Sequence, residues 1–135
     1  MIPDENRIYI NLNEMRGEND IYFILAHEIR HCAQYQATEG IGLADIATTE
    51  TIYKWKTEFS RYNPGCNDEF YQEVELDAMA FKWFIGKVLL NVDVDLNCDE
   101  TLVEPYKQYI RRNYSLMEIK ERLDYSGLEF GRNQA

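Results

Sequence analysis

Residues 69–90 carry apolar side chains around almost the whole circumference of a helix, and no other stretch of the chain constrains the fold as much. Val74, Ala78, Phe81, Ile85 and Val88 recur at helical spacing as a continuous stripe, and Leu76, Trp83 and Phe84 make the other faces apolar too. Such a helix has no face to give to water, so it is expected to be the most buried one. Yet Glu73, Glu75 and Asp77 fall within five residues near its start. Carboxylates carried into an apolar segment are costly unless they meet a cation; the alternative is a helix start that stays solvated.

Other elements must pack around this helix. Asn19 or Asp20 caps a helix running through Ile21, Ile24 and Leu25 to about Tyr35. After a loop with Gly40 and Gly42, Ile52, Trp55 and Phe59 keep helical spacing up to the turn signal Asn63-Pro64-Gly65. Residues 102–114 read as a helix that tolerates Pro105 only in its first turn, and Ser115 with Glu118 makes a capping box for a short last helix ending near Gly127. Residues 7–13 alternate Ile8, Ile10 and Leu12 against Tyr9 and Asn11, the period-two pattern of a half-buried strand. The expected architecture is one α+β domain over residues 1–135, mostly helical with a small sheet.

Charge and cysteine usage narrow the setting. With 24 acidic against 14 basic residues, the net charge of -10 would repel phosphate backbones and anionic lipid, so neither direct nucleic-acid binding nor a membrane partner is expected. Cys32, Cys66 and Cys98 are odd in number and widely spaced, which suits a reducing cytoplasm. The N-terminal residues show no export signal pattern, and no apolar run is long enough to span a bilayer.

The chain has two histidines, and they stand four apart in His27-Glu28-Ile29-Arg30-His31. On a helix both imidazoles project from one face and can close on a single zinc ion. Glu28, on the same turn, is placed to take a proton from a water whose pKa the metal has lowered and to pass it to a leaving amine. The competing account is a surface histidine pair with an incidental glutamate. A catalytic zinc needs a third protein ligand, and no other histidine exists. Cys32 points off the ligand face, and Cys66 and Cys98 fall in expected loops, so a carboxylate from residues 73–77 is the favoured partner.

At this point the chain resembles the ImmA/IrrE-like metallopeptidases, including short relatives from phage and mobile-element genomes. The resemblance spans roughly residues 21–88. It rests on Leu25-Ala26-His27-Glu28-Ile29-Arg30-His31 and on Glu75-Leu76-Asp77-Ala78-Met79-Ala80-Phe81, which is similar to the family's Glu-x-x-Ala-Asn-x-Phe-Ala helix. It implies a zincin-like minimal metallopeptidase domain with Glu75 as third zinc ligand and Ala78 and Phe81 as packing residues. Met79 stands where the family often has asparagine. A rival register, Glu73-x-x-x-Asp77, would make Glu73 the ligand and Asp77 the group that orients a histidine; Glu75 is favoured. Tyr71, one turn before Glu75, is the helper assigned to steady the oxyanion.

The expected function is therefore zinc-dependent hydrolysis of peptide bonds in an intracellular protein or peptide substrate, which the resemblance extends to a repressor-type regulator. Its alternatives are a non-catalytic protein-binding module with a structural or vestigial zinc and a zinc hydrolase acting on a small molecule. Asp93, Asp95, Asn97, Asp99, Thr101 and Glu104 also fall at the spacing of a calcium loop. Cys98 replaces the turn glycine and Pro105 follows at once, so a helix-capping loop accounts for these residues better.

Overall fold

A computed structural model of the protein describes residues 8–10, 13, 17, 20–41, 46–61, 72–96 and 98–114. Among these residues four α-helices follow one another: α1 (Asp20–Thr38), α2 (Thr49–Ser60), α3 (Glu73–Trp83) and α4 (Glu100–Asn113), with α3 continuing into a π-helical stretch, Phe84–Leu89. Helix α3 packs against α1, α2 and α4, the central place its all-round apolar sequence demands. One side joins Val74 to Trp55 and Ile46, with Ala33 and Ala37 of α1 beside them. Its other side sets Leu76, Ala80 and Phe84 against Val103 and Ile110 of α4.

Local chemistry sets the helix ends. At the end of α1, Gly40 takes a positive φ of 71°, which lets the Gly40 and Ile41 N–H groups return to the carbonyls of Ala37 and Gln36. Thr48 caps α2 by accepting a hydrogen bond from the Thr51 N–H. The side chain of Gln72, at the N-cap of α3, makes no capping bond. Glu58 of α2 does this instead, accepting from the Glu73 and Val74 N–H groups at 2.7 and 2.8 Å, and so ties α2 to the turn that carries Glu75. Asp99 caps α4 through the Thr101 N–H at 3.0 Å and Thr101 Oγ1 at 2.6 Å, the capping role expected of that acidic loop. Asn97 lies outside the described residues.

Two expectations are corrected. The described residues are helical and contain no strand or sheet, so the α+β architecture with a small sheet does not hold for them. Ile8 and Ile10 are half-buried and Tyr9 is exposed, so the period-two alternation survives as burial. A strand also needs a hydrogen-bonding neighbour, and among the described residues none pairs with residues 8–10 as a strand. Pro105 is not in the first turn of its helix. The Asp99 cap starts α4 at Glu100, which puts the proline in the second turn and deprives the exposed Thr101 carbonyl of its intrahelical donor. The expected turn at Asn63-Pro64-Gly65 and the expected last helix from Ser115 lie outside the described residues. Among those described, no helix is long and apolar enough to cross a membrane.

Candidate metal centre

Helix α1 buries Ala26, Arg30, His31 and Gln34. Three of these four are polar, so α1 meets α3 largely through hydrogen bonds. His27, Arg30, His31 and Gln34 are spaced by three and four, which aligns them on one face of the helix.

The predicted ligands converge. His27 Nε2 lies 3.1 Å from Glu75 Oε2, His31 Nε2 lies 3.1 Å from Glu75 Oε1, and the two Nε2 atoms are 3.1 Å apart. The imidazoles meet edge to face, with centroids 4.7 Å apart. His31 is buried, whereas the His27 and Glu75 side chains keep 18% and 13% of their surface, so the cluster has one side open. Glu75 is in the first turn of α3, and the Glu58 cap fixes that turn.

These atoms suit a cation. Two imidazole nitrogens and a carboxylate are the ligand types of a three-ligand metal site, and the three side chains together could hold one ion. Ligand atoms on a tetrahedral zinc with bonds of ~2.0–2.1 Å lie about 3.3 Å apart, close to the spacing found. In the metal-free protein a proton serves the same electrostatic need. Burial alone would lower the His31 pKa, but the Glu75 carboxylate, helped by Gln34 and Glu28, outweighs it and holds His31 above its ordinary value.

The other candidate residues sit as follows. Glu28 is half-buried beside His27 and close enough to act electrostatically on His31. Glu73, the rival ligand, is engaged elsewhere, with Oε1 3.8 Å from Lys54 Nζ, and its carboxylate adds to burial in raising the pKa of the Tyr106 hydroxyl. Met79 packs in the apolar cluster between α3 and α4. Tyr71 lies outside the described residues.

Asp77 does reach a histidine, but through an intermediary. Its Oδ2 accepts from Gln34 Nε2 at 2.6 Å, and Gln34 Oε1 lies 2.8 Å from His31 Nδ1. Arg30 grips the same carboxylate at 2.7 and 3.1 Å, donates to the Tyr114 hydroxyl at 3.2 Å and stacks over Trp55 and Phe81. Sequence reasoning did not assign Arg30 or Gln34 a role. The available signal was their spacing from the two histidines, since positions 27, 30, 31 and 34 share a helical face. Comparison of the chain with models of known families, with curated proteins and with solved structures finds no match in any of the three, and what the site can do follows from its own geometry.

Proposed function

We propose that this protein is a zinc-dependent metallopeptidase of the HExxH type that cleaves peptide bonds in a protein substrate, similar to the ImmA/IrrE-like enzymes. The observation that carries the reading is the convergence of His27, His31 and Glu75 at 3.1 Å spacings, with Glu28 one residue after the first ligand. His27, His31 and Glu75 would hold the zinc, leaving a fourth position for water or substrate. Zinc, when bound, supplies Lewis acidity that lowers the pKa of water and polarises the scissile carbonyl.

The rest falls to the chain. Glu28 takes the proton of the attacking water and delivers it to the leaving amine, a role that needs proximity to the ligands but no metal bond. Tyr71 is proposed to steady the oxyanion. A repressor-type regulator encoded beside the gene is the substrate to try first, followed by unfolded proteins.

The test is Glu28→Gln, assayed against such substrates with zinc content and thermal stability measured on the same samples. The amide is nearly isosteric, so the variant is expected to keep fold and zinc while losing about 10²–10⁴-fold in rate. Cleavage at the wild-type rate would overturn the mechanism built on Glu28, whereas wild-type protein that binds such substrates without cleaving them would be a non-catalytic binding module.

A further inference from the structure

Helix α3, which brings Glu75 to the two histidines, is not capped by its own N-cap side chain. Of its first four N–H groups, those of Glu75 and Leu76 return to the Gln72 carbonyl at 3.0 and 3.1 Å. Those of Glu73 and Val74 have no partner within the helix and are met by Glu58 of α2, one carboxylate oxygen each. Glu58 lies three residues after Trp55, so the two share a face of α2. Trp55, only 1% exposed, belongs with Val74 to the core between α2 and α3, so the packed face of α2 delivers the Glu58 carboxylate. A cap that served stability alone has a simpler form. Helices α2 and α4 use their own Thr48 and Asp99, and a serine in place of Gln72 would do the same for α3. Glu58 instead is half-buried. Burial, with the Glu73 and Glu75 carboxylates nearby, pushes its carboxyl pKa up in spite of the two N–H bonds. A group kept where the local chemistry disfavours it marks a place where function asks for a fixed geometry. Here the turn that it fixes is the one from which Glu75 sets its two oxygens 3.1 Å from the histidines.

We propose that Glu58 is a positioning residue: from α2, which carries no proposed ligand, it holds the first turn of α3 so that Glu75 faces His27 and His31. The inference deepens the metal site proposed above and rests on its zinc ligands, not on peptidase chemistry.

Zinc affinity, from competition with a chromophoric chelator, and urea unfolding of the metal-free protein are measured on the wild type and three variants. Glu58→Gln, near in shape, turns one acceptor into a donor facing an N–H group and is expected to bind zinc about 10–100-fold more weakly. Loss of the Glu58 charge alone also disfavours a cation nearby, so the second variant adds Gln72→Ser, a neutral cap from within α3. It is expected to return much of the lost affinity. Asp99→Ala uncaps α4 instead and is expected to lower stability with zinc affinity unchanged. A folded Glu58→Gln protein with wild-type affinity overturns the inference. So does a double variant no better than Glu58→Gln, which would leave charge as the cause, or an Asp99→Ala protein that loses as much affinity, which would leave general stability. If Glu58→Gln does not fold, amide hydrogen exchange of the wild type decides. By the reciprocity of linkage, zinc is expected to slow exchange of the Glu73 and Val74 N–H groups by a larger factor than that of Thr101 at the α4 cap; equal factors overturn the inference. Wild-type protein that binds no zinc brings down this inference together with the metal site. Zinc bound without cleavage of any substrate leaves the positioning role standing and sinks only the peptidase.

Discussion

Arg30 and Asp77 face each other in the interior, with Arg30 Nε 2.7 Å from one carboxylate oxygen and Nη2 3.1 Å from the other. Both side chains are almost fully shielded, at 2% and 3% exposure. They are the main polar joint between α1 and α3, the two helices that carry the proposed ligands.

Breaking this pair from either side strands a buried charge. Asp77→Ala or Arg30→Met is expected to lower stability by roughly 3–5 kcal/mol, a large share of the roughly 5–15 kcal/mol that holds a domain together. The double variant leaves no unpaired charge and is expected to cost clearly less than the sum of the two. Urea unfolding of the four proteins measures the coupling, and simple additivity would mean that the two residues act independently.

The π-helical stretch makes a separate demand. Gly86 is buried where Phe23 of α1 and Val94 press against the backbone, and an added Cβ would collide with Val94 Cγ2 and stand 2.8 Å from Phe23 Cε1. Gly86→Ala improves helix propensity by about 1 kcal/mol, yet overpacking of this kind costs typically about 1–3 kcal/mol. A net loss in melting temperature is expected. Truncating the obstructing residue in Gly86→Ala/Val94→Ala should return part of it, and a Gly86→Ala protein as stable as wild type would mean that the backbone yields freely there.

The central helix and the ligand pair were legible because they follow from period and spacing. The apolar circumference of residues 69–90 demanded a central place, and α3 has it; histidines four apart on a helix must share a face, and His27 and His31 do. The roles of Arg30 and Gln34 were not legible, because an isolated arginine or glutamine on a helix looks solvated until the facing helix supplies Asp77 and the Val74 carbonyl. The strand misled for the converse reason. Alternation records which side chains are covered, as Ile8 and Ile10 are, whereas a sheet depends on a neighbour that alternation does not specify.

Glu73 faces Lys54, whereas Glu75 faces the two histidines, and the two carboxylates are expected to differ in what their loss does to zinc binding. Glu75→Gln is expected to weaken zinc binding strongly, while Glu73→Gln should leave it within a few-fold of wild type, because only the first change touches the atoms that meet His27 and His31. Wild-type protein should carry about one zinc per chain, and His31→Ala should carry none. Elemental analysis and chelator competition decide it. A larger loss for Glu73→Gln would transfer the ligand role to the rival register, with Asp77 as its partner.

The raised pKa of His31 turns the same contact into a pH dependence. Burial works against the charged imidazole, but the Glu75 carboxylate more than offsets it, so folded metal-free protein binds the His31 proton more tightly than the unfolded chain does. The resulting stability is fully present below the ordinary value of 6.5 and is lost as pH rises through the higher folded value. Zinc must displace this proton, so metal affinity moves the other way, climbing as pH rises and levelling off once His31 is neutral. Melting curves between about pH 6 and 8 should therefore fall with pH for metal-free protein, and the extra stability conferred by zinc should grow over the same interval. Glu75→Gln removes the main cause of the shift, so its metal-free protein should lose much of the slope. If Glu75→Gln keeps the wild-type slope, the proton is held by some group other than the Glu75–His31 pair, and this account of the metal-free site is wrong.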